Sequence, residues 1–330
     1  MQIPGFDMLE KLGEGGMAVV WKARQVSLDR IVAIKILSAR IAANEEDVKR
    51  FQTEAQSAAK LKHPGIVQVY DAKAEDGTYY FVMEYVAGYT VGDWVRRKGR
   101  LSEKDALLVV ECVADALEYA WDREHIIHCD IKPDNIIIDS DGAVKLADLG
   151  LARTISSMSV DTVADEVLGT PAYLSPEQAS GRQDLDCRAD IYSTGAMLYY
   201  LVTGKMLFHG NTEERIMEMQ LSESVENPAD LNPELSKSVC LLIENMLVKD
   251  REKRYSDWTA VRKDIEKVKR KLPIGRRAED VESTVKRSSK ESAETVRGVN
   301  ARERAGREET AGKRWPVPLI AGLISVLVLG

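Results

Sequence analysis

The sequence predicts an α+β chain of two unequal lobes: a small β-rich lobe carrying one helix, then a larger, mainly helical lobe. Three observations predict this. Between residues 8 and 85, short runs rich in β-branched residues alternate apolar and polar positions. One stretch in their midst switches to helical spacing, and from residue 86 to 272 helical spacing takes over.

In order along the chain, residues 18–21, 31–37, 66–70 and 79–83 read as strands. Phe51, Ala55, Ala58 and Lys62 recur at helical spacing, so 46–61 reads as an amphipathic helix. Ser102-Glu103-Lys104-Asp105 has the form of a capping box and opens a helix running to about Arg123. Its positions Leu108, Cys112, Ala116 and Tyr119 are predicted to face a core. Residues 189–202 and 234–248 read as further buried helices. The folded region is thus expected over 6–272, with its small lobe at 6–85 and its large lobe at 86–272. From 273 to 314 large hydrophobes nearly vanish among Arg, Lys, Glu, Ser and Thr. Such a stretch cannot bury enough apolar surface to offset ordering entropy and reads as a flexible linker. Residues 315–330 form an apolar segment entered through Lys313-Arg314-Trp315.

Bulk composition narrows the function only slightly. The 330 residues are 44% hydrophobic and 30% charged, which is ordinary for a globular protein. A formal charge of -7 gives no basic footprint for nucleic acid. Cys112, Cys129, Cys187 and Cys240 are widely spaced with no C-x-x-C pair, which argues against a structural zinc site or a disulfide scaffold. Free thiols suit a reducing cytoplasm. Residues 1–6 lack the basic-then-apolar pattern of a secretory signal.

The chemistry-bearing residues fall in three clusters. Gly13-Glu14-Gly15-Gly16-Met17-Ala18 lies between strand-like segments, with Lys35 closing Val32-Ala33-Ile34-Lys35 on the next strand. Bare backbone amides in a hairpin plus a strand lysine make a sensible clamp for nucleotide phosphates. A Walker loop would need Gly-Lys-Ser/Thr entering a helix, and a Rossmann fingerprint would need a helix after the glycines. Val19-Val20-Trp21 continues instead as strand. The second cluster is His128-Cys129-Asp130-Ile131-Lys132-Pro133-Asp134-Asn135, a polar group between apolar flanks. An aspartate there can accept a hydroxyl proton and the asparagine can ligate a metal. The third is Asp148-Leu149-Gly150, a carboxylate placed to bind metal bridging phosphates.

These elements, with Ser175-Pro176-Glu177 further on, occur in the order found in eukaryotic-type protein kinases, and the first 270 or so residues resemble that family. Gly15-Gly16-Met17, Arg50-Phe51-Gln52-Thr53-Glu54-Ala55 and His63-Pro64-Gly65-Ile66-Val67 resemble its bacterial receptor-type serine/threonine branch. The resemblance implies the two-lobed protein kinase fold and ATP- and Mg2+-dependent transfer of a phosphoryl group to Ser/Thr hydroxyls of protein substrates, with autophosphorylation, for which a homodimer is one route. It implies Asp130 as catalytic base, Lys132 beside the transferred group, Lys35 on the phosphates, and Glu54 as the ion-pair partner of Lys35. Asn135 and Asp148 would hold Mg2+. Leu12, Gly13, Glu14, Gly15 and Gly16 would cover the nucleotide. Val20, Ala33 and Ile137 would sandwich adenine, Glu84 and Val86 would offer it main-chain hydrogen bonds, and Met83 would control the pocket behind. Glu177 with Arg254, Asp190 and His128 read as structural. Lys132 and Thr170 imply Ser/Thr acceptors in place of Tyr.

Two departures stand out. The third glycine of the usual loop is Ala18, a small change. Cys129 replaces the arginine that usually gathers an activation-segment phosphate, so phosphorylation within 154–168 is expected to be less tightly coupled to activity. A catalytically inactive pseudokinase scaffold is the alternative; its usual mark, loss of Lys35, Asp130 or Asp148, is absent. The uncharged run 317–330 is shorter than the 20 or so residues a membrane helix takes. It reads either as a short tail anchor or as the start of a longer span, with the kinase region cytoplasmic and held at the inner face of the cell membrane. Ser283, Thr284, Ser288, Ser289, Ser292 and Thr295 are candidate autophosphorylation sites in the linker.

Overall fold

The computed structural model describes residues 2–15, 18–44, 58–75, 77–148 and 171–276, with residues 48, 52, 55 and 56 between them. The small lobe is a five-stranded antiparallel sheet built from β1 (Phe6–Glu14), β2 (Ala18–Gln25), β3 (Arg30–Leu37), β4 (Val69–Glu75) and β5 (Thr78–Glu84), in the order β1-β2-β3-β5-β4. A short α1 (Ala39–Ala42) follows β3, and the described residues among 48–60 are helical.

Register sorts the sheet's two faces. Val20 pairs with Lys35, Lys35 with Phe81, and Ala33 with Met83. Directly opposed residues share a face, so Val20, Ala33, Lys35, Phe81 and Met83 lie together. The other face buries Val32, Ile34, Ile36, Tyr80 and Val82 under Ile3, Phe6, Met8 and Trp21. A one-residue slip would exchange the two sets, so the buried Ile34/Ile36 pair is what fixes the position of Lys35.

The large lobe opens with β6 (Gly88–Thr90) and α2 (Val91–Lys98), whose N-cap Thr90 forms a complete capping box with Asp93. Then come α3 (Glu103–Glu124), β7 (Ile136–Asp139), β8 (Val144–Leu146), α4 (Pro176–Ala179), α5 (Cys187–Thr203), α6 (Glu213–Ser222), α7 (Pro228–Leu231), α8 (Lys237–Met246) and α9 (Trp258–Lys269). Strands β6, β7 and β8 form a second small sheet. Helix α5 is the lobe's axis, buried on every side except at Arg188 and Tyr200. At Gly195 a Cβ would lie 2.6 Å from the Met246 Cβ, so the α5–α8 contact requires glycine there.

Several sequence expectations need correction. The strand expected at 66–70 begins at Val69; residues 65–67 instead bond to β8, through Val67 N to Leu146 O (2.9 Å) and Leu146 N to Gly65 O (2.8 Å). Helix α3 buries Ala106, Leu107, Val109, Val110, Val113, Ala114, Ala116, Leu117 and Ala120, while Leu108 is 48% exposed and Cys112 and Tyr119 are half-buried. Ala116 is fully buried and Cys112 and Tyr119 pack against the core as expected, so only Leu108 is misplaced; small residues let neighbouring helices approach a face wider than the expected stripe. Ser102 caps α3 by accepting from Asp105 N (3.1 Å), but its hydroxyl donates to Asp105 in place of the reciprocal backbone bond. Lys62 is exposed and lies beyond the helical residues that end at Lys60. Helices α5 and α8 occur where the spacing placed them.

Contacts between α3 and the segment before β4 hold the lobes together: Lys60 pairs with Glu124 (3.0 Å) and His63 with Asp115 (3.1 Å). Lys145 on β8 reaches the Glu84 carboxylate at 2.9 Å, where β5 leaves the small lobe. Among the described residues no helix is long and apolar enough to cross a membrane, and residues 277–330, with both C-terminal expectations, lie outside them.

Candidate active site

The segment from Ile127 to Asn135 is positioned by buried polar contacts. Asp190 on α5, 1% exposed, accepts from His128 N (2.7 Å) and Cys129 N (2.9 Å). Burial raises the Asp190 carboxyl pKa, and the two amides oppose that rise. The amides also hold Cys129 in the left-handed region, at φ 64°. Non-glycine residues take that conformation at a cost, so the surrounding contacts must impose it.

His128 is fully buried. Its Nδ1 accepts from Asp130 N at 3.3 Å, and its Nε2 lies 2.9 Å from the Ala147 carbonyl. These two contacts match an Nε2–H tautomer, and through them the ring ties this loop to the segment before Asp148.

Asp130 has an asymmetric environment. Its Oδ2 accepts from Lys132 Nζ at 2.7 Å and from Asn135 Nδ2 at 3.0 Å, and Asn135 Nδ2 also donates to the Asp130 carbonyl at 2.8 Å. Among the described residues no donor reaches Oδ1. The Asp130 and Lys132 side chains retain 19% and 22% exposure.

Lys35 Nζ lies 2.9 Å from Asp148 Oδ1. Burial works against ionising Asp148, but the charge and hydrogen bond of Lys35 outweigh it and keep the carboxyl below its usual range. Asp148 has φ 58°, a second left-handed non-glycine residue in the site. Glu54, expected as the partner of Lys35, lies outside the described residues, as do Gly16, Leu149, Gly150, Thr170 and the whole of 151–170.

The remaining expected residues surround this pair. Leu12, Gly13 and Glu14 end β1, and Gly13 stands opposite Val20 on β2. Gly15 N donates to Ala18 O at 3.0 Å, closing the turn. A Cβ built on Gly13 or Gly15 would meet nothing, and neither residue has positive φ, so the fold itself makes no demand for glycine at these two positions. Glu84 N donates to Gln68 O, while Val86 follows β5 and Ile137 lies on β7 between Thr90 and Lys145. Behind Met83 a cavity of about 20 Å³ is lined by Ala55, Ala58, Val67, Phe81, Met83 and Asp148, room for about one water.

Two structural features were not expected from sequence. The Glu84 side chain is engaged by Lys145 and by Gln68 N (3.2 Å), and Gln178 on α4 donates to the Cys129 carbonyl at 2.9 Å. Both join residues far apart in the chain and have no local pattern. Glu177 and Arg254 form the ion pair the resemblance implied, at 2.7 and 3.0 Å. Further along, Lys249 donates to Tyr192 Oη at 2.9 Å, and desolvation, followed by the repulsion of Arg254, drops its pKa to about 7.

Comparison with known proteins agrees with this geometry. The protein kinase domain model matches residues 6–265. The chain is 35% identical to the serine/threonine-protein kinase PrkC of Bacillus subtilis over 98% of its own length and 52% of that protein. It is 39% identical to the serine/threonine-protein kinase PknB of Mycobacterium tuberculosis over 80% of its own length and 42% of that protein. It therefore spans about half or less of the length of these relatives. The crystal structure of the Mycobacterium tuberculosis PknI kinase domain superposes with a TM-score of 0.65 at 25% identity, covering 81% of this chain and 97% of that one. The chain belongs to the protein kinase domain family, beside the bacterial serine/threonine-protein kinases.

Proposed function

We propose that this chain transfers the γ-phosphoryl group of ATP to Ser or Thr hydroxyls of protein substrates. The observation that carries the reading is the asymmetry at Asp130. Its Oδ2 is engaged by Lys132 and Asn135, so the carboxylate is pinned, and among the described residues none donates to Oδ1, the oxygen that would receive a substrate hydroxyl. Asp130 would orient that hydroxyl and take its proton on Oδ1 as the oxygen bonds to phosphorus and the bond to the ADP oxygen breaks. Lys132, 2.7 Å from Asp130, would lie near the charge developing on the transferred group. Lys35 would hold the α/β-phosphates, and the bare backbone at Gly13 and Gly15 gives them room to approach.

The donor set fits a divalent cation with a preference for oxygen. Asp148 is held ionised, and the Asn135 amide nitrogen faces Asp130, which turns its oxygen elsewhere. Mg2+ held by Asn135 and Asp148 would supply neutralisation of phosphate charge. Val20, Ala33 and Met83 share the face of the sheet that carries Lys35, as an adenine pocket with Ile137 would need. Retention of Lys35, Asp130, Asn135 and Asp148 favours catalysis over a scaffold that keeps only the fold.

Incubating purified protein with Mg-ATP and mapping phosphosites tests the reading: phosphoserine and phosphothreonine are expected, phosphotyrosine is not. Cys129 is buried, with its backbone held by Asp190 and Gln178, so position 129 offers no cation to a phosphate. We therefore expect joint alanine replacement of Thr154, Ser156, Ser157, Ser159 and Thr162 to leave activity within about fivefold, since an absent phosphate receptor removes the usual charge-assisted coupling. Abolished transfer to a generic substrate would refute this.

We also propose attachment of the cytoplasmic kinase region to the inner membrane face through 315–330, supported by the uncharged run and the preceding Lys313-Arg314-Trp315. A version ending at Arg314 should leave the membrane fraction; unchanged fractionation would remove the segment as anchor.

A further inference from the structure

The peptide unit immediately before Asp130 is held at both ends by side chains. Its carbonyl, that of Cys129, accepts from Gln178 Nε2 at 2.9 Å, and its amide, that of Asp130, donates to His128 Nδ1 at 3.3 Å. The orientation of this plane sets the direction in which the Asp130 side chain leaves the backbone. The plane follows a residue at φ 64°, where few intrinsic preferences help to hold it.

The Gln178 carboxamide has a second engagement. Its Oε1 accepts from Ser175 N at 3.1 Å and from Ser175 Oγ at 2.9 Å, completing a capping box at the start of α4. The backbone amide of Ser175 can only donate and the Cys129 carbonyl can only accept. The amide group of Gln178 therefore has one consistent orientation, with nitrogen toward the catalytic loop and oxygen toward Ser175. Ser175 follows directly on Pro171–Leu174, the chain entering α4. A single side chain thus links that segment to the plane ahead of Asp130.

We infer that Gln178 is a positioning residue that holds Asp130 in its reactive orientation. This rests on the proposed role of Asp130. Glutamine is the residue type the arrangement needs: glutamate at this position would keep the cap, because a carboxylate accepts from Ser175 equally well. It would lose the donor to Cys129 and place an anion against that carbonyl.

Gln178→Glu therefore separates positioning from folding. Loss of one neutral hydrogen bond together with the added repulsion should lower kcat about tenfold. The KM for ATP should stay within about twofold and the Tm within about 2 °C, since the cap remains. Gln178→Met, which loses both engagements, should lower kcat similarly and lower Tm as well. A Gln178→Glu enzyme with wild-type kcat would overturn the inference, and so would one whose kcat loss came with an equal loss of ATP affinity or a large fall in Tm. Asp130→Asn in the same assay separates this from the parent reading. If Asp130→Asn is inactive and Gln178→Glu is normal, only the positioning role fails; if Asp130→Asn is fully active, the assignment of the base fails first.

Discussion

Asp130→Asn is expected to lower phosphoryl transfer by roughly 10²- to 10⁴-fold, the usual contribution of a positioned general base, with ATP affinity changed by less than about threefold. The substitution keeps the shape of the side chain and removes its charge and proton affinity. Asn135 can still donate to an amide oxygen at position 130, and Lys132 loses an ionic partner but stays partly hydrated at 22% exposure. Destabilisation should therefore be small, which makes the variant a clean probe of chemistry. Transfer of labelled phosphate to a generic protein substrate, beside nucleotide binding by fluorescence, reads both effects. Transfer at the wild-type rate would sink the assignment of Asp130.

Arg254→Met is expected to have the largest effect on stability, about 3–5 kcal/mol, because it leaves the Glu177 carboxylate buried without its partner. The two side chains are 0% and 4% exposed. Arg254 also donates to the carbonyls of Val248 (3.0 Å), Lys249 (3.3 Å) and Arg188, so three backbone acceptors lose a donor at once. For a domain of this size the Tm should fall by roughly 10 °C. Glu177→Gln combined with Arg254→Met removes both charges and should recover part of that loss, since the uncompensated charge is the costly element. A double variant as unstable as the sum of the singles would show that the pair's backbone bonds, and not its charge, hold the lobe. The same region packs Lys249 against Tyr192, so the damage should spread to α5 and to Gln220, which accepts from Tyr192 and donates to the Pro171 and Ala172 carbonyls.

Much of this site was legible in sequence because its residues come in short, ordered runs. Lys35 sits within a strand marked by its β-branched residues, and Asp130, Lys132 and Asn135 are close enough in sequence to suggest a common loop. Three-residue β6 and β8 could not be seen, since such short strands complete too few alternations to show a period. The buried face of α3 was read too narrowly for a different reason: alanines pack as well as leucines where helices cross closely, yet they carry little weight in a hydrophobic count, and Leu108 is the one expected position that faces out.

The sequence by itself determined the lobes, the order of the motifs and the identity of the chemical groups, because periodicity and residue type are local properties. Only the tertiary structure decided which oxygen of Asp130 is pinned, that Lys35 pairs with Asp148, and that Gln178 reaches the carbonyl before Asp130. The first depends on a loop conformation that buried contacts impose, and the other two on distances between segments tens of residues apart. Such distances are set by how the helices and sheets pack, which no single stretch of sequence records.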